Sequence, residues 1–207
     1  MLLDSRVALI TGGTRGIGLA AARGIAEAGA TVILLGVDRD RALAAAEGLQ
    51  ADGHDAIGIV CDVSDPRAVY ALPDLLGPLA AVDILVNSAG VMAERMSKTL
   101  RTSPEEWRRV MSVNLDGVFL GCRAALPALE RAGGGAIVNI SSIAAMHGMP
   151  YVTAYCASKG GVRSLTKAVA VQCRQAKNNV RCNSVHPDGV KTPMVFKVAT
   201  GQDSATR

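Results

Sequence analysis

Short, continuous apolar runs alternate along this chain with longer stretches of Ala, Leu and charged residues. Val7-Ala-Leu-Ile10 is the first run, and it ends in Thr11-Gly12-Gly13-Thr14-Arg15-Gly16-Ile17-Gly18, after which Leu19 to Ala28 has helix-forming composition. Thr31 to Leu35 reads as a second strand and Arg39 to Gln50 as a second helix. Ala56 to Val60, Val82 to Val86, Ala136 to Ile140 and Val180 to Val185 supply four further strands. Runs as apolar as these suit strands covered on both faces. Strands separated by helices predict an α/β fold with a doubly wound parallel sheet of six strands and helices on both faces. The chain contains no internal repeats or low-complexity linkers, so residues 1–207 are expected to form one domain.

Local signals refine the helices. Ser64-Asp65-Pro66 reads as a helix start with proline in the first turn. A long helical segment is expected from Pro104 to about Arg131, with Ser103 as N-cap and Glu105 and Glu106 complementing the helix dipole. Trp107, Val110, Met111, Val118, Phe119, Cys122, Leu126 and Leu129 recur near helical period and predict a core or subunit interface. Asn114 lies within that apolar segment, where a buried amide must find partners. It is expected either to cap or kink the helix or to hold a water beside the reactive groups discussed below.

Composition narrows the class. Hydrophobic residues make up 49% and charged residues 19%, which is globular rather than disordered. Aromatics are only 3% against 22 glycines, so the core should be built from Ala, Val, Ile and Leu. The net charge is +4, with no Lys/Arg cluster interleaved with aromatics, so no nucleic-acid partner is expected. The cysteines at 61, 122, 156, 173 and 182 form no CxxC and no Cys/His spacing suited to zinc, so no metal is expected and the thiols should be reduced. A strand beginning near Val7 leaves no room for a signal peptide, and no apolar run approaches the ~20 residues of a spanning helix. A soluble, cytoplasmic protein without membrane association is the expectation.

Candidate chemistry sits at the strand ends. Strand, glycine turn and helix in succession predict a dinucleotide site, because glycines let the backbone approach a pyrophosphate and a helix N-terminus presents free N–H groups to it. At the end of the second strand an acid would hold ribose hydroxyls, whereas an arginine would accommodate a 2′-phosphate. The chain offers Gly36-Val37-Asp38-Arg39 there; Asp38 tilts the choice slightly toward NAD(H), while Arg15 argues for NADP(H). Asp62, followed by Val63, is placed either to accept a hydrogen bond from an adenine amino group or to cap its strand end. Asn87-Ser88-Ala89-Gly90 ends the fourth strand with small residues that leave room for a flat ligand. Tyr155 and Lys159 fall one turn apart on one helix face, where an ammonium would favour the phenolate and lower its pKa.

Taken in order and spacing, these motifs resemble those of the short-chain dehydrogenase/reductase family. They are Thr11-Gly12-x-x-x-Gly16-Ile17-Gly18, Asp62, Asn87-x-Ala89-Gly90, Asn114, Ser142, Tyr155-x-x-x-Lys159 and Pro187-x-x-Val190-x-Thr192. The resemblance implies a Rossmann-type fold and hydride transfer between NAD(H) or NADP(H) and a secondary alcohol or ketone. It implies Tyr155 as general acid/base, Lys159 as the group that depresses its pKa and binds the nicotinamide ribose, Ser142 as a hydrogen bond to the substrate oxygen, and Asn114 as holder of a proton-relay water. Thr14 and Arg15, with Gly12, Gly16, Ile17 and Gly18, would cradle the cofactor. Asp62, Val63, Asn87, Ala89, Gly90, Tyr155, Lys159, Pro187, Val190 and Thr192 would complete its site. The family's serine precedes the tyrosine by thirteen residues, which selects Ser142 over Ser141. A homodimer or homotetramer built on the two long helices is also implied.

The chain departs from the family pattern in three places. Ser88 stands where a second Asn is usual, and Asp188 stands where Gly usually follows Pro187. The segment from Asn183 to Met194 is similar to bacterial 3β/17β-hydroxysteroid dehydrogenases, which implies a cyclic or steroid-like alcohol. The chain stops at Arg207, where relatives continue through a further helix and a seventh strand, and Gln202 to Arg207 reads as a polar, frayed end. The sixth strand is therefore expected at an open edge. Two alternatives share these motifs: a cofactor-binding but catalytically incompetent truncated paralogue, and a reductase of carrier-bound 3-oxoacyl esters.

Overall fold

The computed structural model describes residues 1–93 and 98–200. Gln202 to Arg207, expected as a frayed end, lies outside them. Six strands are present among the described residues: β1 (Val7–Thr11), β2 (Thr31–Gly36), β3 (Ala56–Val60), β4 (Ile84–Asn87), β5 (Gly135–Ile140) and β6 (Val180–Val185). They form one parallel sheet in the order β3-β2-β1-β4-β5-β6. The connecting helices are α1 (Gly16–Glu27), α2 (Arg39–Ala51), the short α3 (Pro66–Tyr70) and α4 (Leu72–Leu76), α5 (Pro104–Met111), α6 (Gly117–Arg131), α7 (Thr153–Ala176) and α8 (Pro193–Thr200). This is the doubly wound Rossmann arrangement that the alternating runs predicted.

Period-two alternation along the strands divides the core between the two faces of the sheet. Leu9, Ile33, Leu35, Leu85 and Ile137 point one way, onto Val118, Leu120 and Leu129 of α6 and Val162 and Val169 of α7. Ala8, Ile10, Val32, Leu34 and Val86 point the other way, onto Ala22 and Ala26 of α1 and Ala46 and Leu49 of α2. Each fully buried Leu or Ile contributes about 1.5–3 kcal/mol relative to exposure, so the central strands carry much of the stability. Toward the β6 edge the second face thins: Val138 and Ile140 are only half-buried and Val185 is 48% exposed. The sixth strand thus lies at the sheet edge, with apolar surface showing.

Most boundaries fall where sequence placed them, and the exceptions have visible causes. β4 starts at Ile84 rather than Val82, because the Asp83 carboxylate accepts from Val7 N at 2.9 Å and from Arg6 at 2.7 Å, ahead of the paired strand. α1 begins at Gly16, directly out of the glycine turn. Ser103 caps α5 as expected, its Oγ accepting from Glu106 N at 3.1 Å, and Asp65 caps α3 with Pro66 in its first turn. The segment from Pro104 to Arg131 is not one uniform helix. Ser112–Asp116 is π-helical and separates α5 from α6. Such an insertion rotates everything after it on the helix surface and marks functional sites more often than ordinary helix does.

α2 packs against β3 at a contact that only glycine allows, since a Cβ on Gly58 would run into the Ala42 carbonyl. Overpacking of this kind costs about 1–3 kcal/mol. Gly58→Ala is therefore expected to lower Tm by roughly 3–8 °C, read by thermal unfolding; an unchanged Tm would refute the close packing.

Candidate active site

The loops after all six strands converge at one end of the sheet, where a crevice of about 370 Å³ opens between β1 and β4. The chain passes to opposite faces of the sheet on the two sides of this point, which is where open parallel sheets bind ligands. Thr11 ties the two halves together, its Oγ1 accepting from Ser88 N and Ala89 N at 3.1 Å each. Gly12 has φ +63°, and a Cβ there would lie 2.7 Å from Ala89 Cα, so no side chain fits. Arg15 precedes α1 without a side-chain cap, leaving the first-turn N–H groups to the crevice that Gly16, Ile17 and Gly18 line. Thr192 closes over this turn, 3.5 Å from where a Cβ of Gly16 would sit. Thr14, Val63, Ala89, Gly90, Pro187 and Val190 line the same crevice.

At the second strand's end the acid is otherwise engaged. Asp38 caps α2, its carboxylate accepting from Arg41 N at 3.0 Å and pairing with the Arg41 guanidinium at 3.2 Å. A Cβ on Gly36 would approach Thr14 Cγ2 to 2.7 Å, so the first position takes no side chain. Arg15 and Arg41 both line the crevice, Arg41 beside Asp38. Asp62 lines the crevice too, while its Oδ1 accepts from Ser64 N at 2.9 Å and Ser64 Oγ at 2.7 Å, the strand-end cap that was one of its two expected roles.

α7 delivers Tyr155 and Lys159 to the crevice on one face. Lys159 is 4% exposed; its Nζ donates to Ile140 O at 2.7 Å and stands 5.6 Å from the Tyr155 ring centroid. Burial brings the Lys159 pKa down from 10.5 to about 8. The expectation that Lys159 depresses the Tyr155 pKa is not met: the phenol is raised, because burial outweighs a lowering hydrogen bond from Ser142. Both groups lie in the same dry pocket, where desolvation penalises each charged form.

The two serines are differently engaged. Ser141 Oγ donates to Lys159 O at 2.9 Å, docking α7 onto β5. Ser142 Oγ accepts from Ala144 N at 3.1 Å, which leaves its own hydrogen free for the crevice. Asn114 lies in the π-helical turn and is fully buried. Its Oδ1 accepts from Val91 N at 2.7 Å, and its Nδ2 donates to Val91 O at 2.9 Å and Ser158 Oγ at 3.1 Å. The amide therefore fastens the loop after β4 to α7, whose Ser158 Oγ donates in turn to Tyr155 O at 2.8 Å. The side chain thus fills neither of the two structural roles read for it, a cap or a kink; it ties a loop to a helix.

Asn87 is the one expected cofactor contact that faces away from the crevice. It shares Leu85's side of β4, and its Nδ2 donates to Asn139 Oδ1 at 2.9 Å beneath the sheet. Asn139 passes the chain on to Thr166 Oγ1 at 3.0 Å. Sequence reasoning missed Ser158, Asn139 and Arg41, and gave Thr11, which opens the glycine motif, no role of its own. Asn139 left a signal, a polar residue inside an otherwise apolar strand. Among the described residues no group of His, Cys, Asp or Glu is placed to hold a metal, and no helix is long and apolar enough to cross a membrane.

A doubly wound sheet with a glycine-lined crevice and a buried Tyr/Lys pair at its mouth defines a dinucleotide-binding fold of the dehydrogenase type. The chain matches the short chain dehydrogenase family over residues 6–203. It is 41% identical over 199 residues to the NADP-dependent (R)-specific alcohol dehydrogenase of Lentilactobacillus kefiri, covering 93% of this chain and 76% of that protein. It is 38% identical to the 3beta-hydroxysteroid dehydrogenase of Mediterraneibacter gnavus, covering 92% of this chain and 68% of that one, and 37% identical to the cyclopentanol dehydrogenase of Comamonas testosteroni, covering 98% and 80%. A crystal structure of a short-chain type dehydrogenase/reductase from Mycobacterium marinum superposes with a TM-score of 0.88 at 36% identity, over 95% of this chain and 78% of that one. The chain belongs to the short-chain dehydrogenase family.

The buried ammonium makes stability depend on pH. Below pH 8 Lys159 is protonated in folded and unfolded chains alike; between about 8 and 10.5 the unfolded chain holds a proton that the folded chain has released, so stability rises with pH. Relative to Lys159→Met, the parent is expected to gain roughly 3 kcal/mol between pH 7 and pH 11. Urea unfolding of both proteins at the two pH values measures it, and a gap that stays constant or moves the other way rules the assignment out.

Proposed function

We propose that the protein is a nicotinamide-dependent oxidoreductase acting on secondary alcohols and ketones, with Tyr155 moving the proton. The observation that carries this reading is the convergence of Tyr155, Ser142 and Lys159 on a crevice whose opposite wall is a glycine turn and an uncapped helix N-terminus. The cradle suits a dinucleotide: glycine at position 12 lets the turn lie directly against the Ala89 backbone, and the N–H groups of the uncapped α1 favour a pyrophosphate. When bound, the dinucleotide gives or takes the hydride.

The chain's own groups do the rest. Because burial keeps the Tyr155 phenol protonated through the neutral range, it is ready to donate to a ketone oxygen; in the oxidative direction it must first lose that proton, which alkaline conditions favour. Ser142 offers its hydroxyl hydrogen to the same oxygen and stabilises charge developing there. Lys159, fixed by Ile140 O, places a cation beside the Tyr155 ring and beside the ribose end of the site. Val91, Met92, Val113, Met194 and Val195 give an apolar wall, which excludes water and suits a cyclic or steroid-like carbon skeleton. The relatives named for cyclopentanol and a 3beta-hydroxysteroid support that substrate class.

The earlier slight tilt toward NAD(H) rested on Asp38, whose carboxylate is taken up by Arg41 and the start of α2. With no room for a side chain at Gly36 and with Arg15 lining the same crevice, we favour NADP(H), its 2′-phosphate meeting Arg15. The NADP-dependent relative from Lentilactobacillus kefiri supports this choice.

Two measurements test the reading. With cyclohexanol and cyclopentanol as probes, Tyr155→Phe is expected to lose roughly 10²–10⁴-fold in kcat, the range of general acid-base catalysis, while calorimetric affinity for the dinucleotide stays within a few-fold. Turnover that survives the change rejects the mechanism, and binding without turnover in the parent leaves only a cofactor-binding protein. Separately, Arg15→Ala is expected to weaken NADPH binding about tenfold, as loss of one charge-assisted contact would, with little change for NADH. Equal losses for both would reject the 2′-phosphate contact.

A further inference from the structure

The turn bearing Ser142 is held by a side chain to which the proton-transfer scheme gives no part. His186 follows β6 directly. Its Nδ1 lies 3.0 Å from the Ser142 carbonyl oxygen and its Nε2 lies 2.9 Å from Ser184 Oγ. A carbonyl oxygen can only accept, so Nδ1 carries the hydrogen and Nε2 accepts from the Ser184 hydroxyl. The imidazole is thereby fixed in one tautomer and one ring orientation.

Two further bonds flank this contact. Ser141 N donates to Val185 O at 2.8 Å, and Ile143 N donates to Pro187 O at 3.1 Å. Residues 141–143 are thus fastened to 185–187 three times over. The outer two bonds are between backbone groups and survive most substitutions. The middle one exists only because residue 186 carries a donor at the right reach. Ser142 is fully extended, with φ −168° and ψ 161°, and rotation about ψ swings its carbonyl. Holding the carbonyl therefore holds ψ, and with it the geometry in which Ser142 Oγ accepts from Ala144 N at the crevice wall.

From this geometry we infer that His186 is a positioning residue for Ser142. It touches neither the substrate nor the reacting atoms; it sets the direction from which the Ser142 hydroxyl meets the substrate oxygen. The inference rests on the role given to Ser142 above. It also links the serine turn to the Pro187 loop, so the substrate side and the dinucleotide side of the crevice share one rigid support. Displacement of a catalytic group by a fraction of an ångström is enough to cost an order of magnitude or more in rate.

A double-mutant cycle tests it, with cyclohexanol oxidation as the probe reaction. His186→Leu is expected to lower kcat about tenfold, with the KM for the dinucleotide changed by less than about threefold. His186→Asn, whose amide N–H can stand where Nδ1–H stood, is expected to keep kcat within about threefold of the parent. Ser184→Ala, which frees the ring without emptying its place, is expected to cost about threefold. In a Ser142→Ala background each of these changes should add less than about twofold, because the group being positioned is gone. Full turnover in His186→Leu, or a full additional loss when it is combined with Ser142→Ala, overturns the inference. Full turnover in Ser142→Ala alone is a different result and overturns the role of Ser142 itself. A crystal structure of His186→Leu reads the same point without turnover: a displaced Ser142 carbonyl supports the inference, and an unmoved one overturns it.

Discussion

The burial of one ammonium group sets the terms for the site. Lys159 is almost wholly removed from water, and the bond from its Nζ to Ile140 O is made to a carbonyl, not to a carboxylate. Desolvating such a cation costs several kcal/mol even after relaxation. The neighbourhood is shaped to bear that cost. α7 is locked to β5 by Ser141, whose Oγ donates to the carbonyl of Lys159 itself. The side chains that offset the expense are remote from the chemistry: Ile10, Ile33, Leu34, Leu35, Leu85 and Ile137, fully buried in the central strands.

Much of this was legible before any coordinates, and the limits were physical. The strands could be read because both faces are covered, which makes each a continuous apolar run ended by glycine or a polar residue. The glycine turn, Ser142, Tyr155 and Lys159 could be read because their chemistry demands fixed spacing. What could not be read depended on orientation. Asn87 belongs to the motif, yet which way a strand-end side chain turns is decided by its parity with Leu85, and that parity sends it into the core. Asn114 was visible as an anomaly, but a helical repeat gives no hint that one turn will widen to admit it. The direction of the Tyr155 shift was misjudged because sequence shows a neighbouring cation and does not show how dry the pocket is.

Beneath the sheet runs a polar thread of which only Asn87 belongs to a motif read from the sequence. Asn87 donates to Asn139, Asn139 to Thr166, and Thr166 Oγ1 to Val162 O at 2.7 Å. These bonds cross from β4 through β5 to α7, the three elements that carry the crevice wall, the serines and the Tyr/Lys pair. Asn87 Oδ1 is buried without a partner among the described residues and abuts Gly121 of α6. A buried network of this kind favours one arrangement of β4, β5 and α7 over near alternatives, since any slippage strands several amides in an apolar core.

The adjacency of β1 and β4 carries a consequence for how the molecule comes into being. Their pairing, Thr11 against Asn87, joins segments separated by roughly seventy residues of intervening chain, and loop-closure entropy must be met before that contact returns anything. The two halves of the ligand cleft therefore do not coexist until the most non-local strand pairing of the sheet has formed. A chain in which β1 and β4 have not paired lacks a complete cleft, so any ligand that needs both halves stabilises the paired state by mass action.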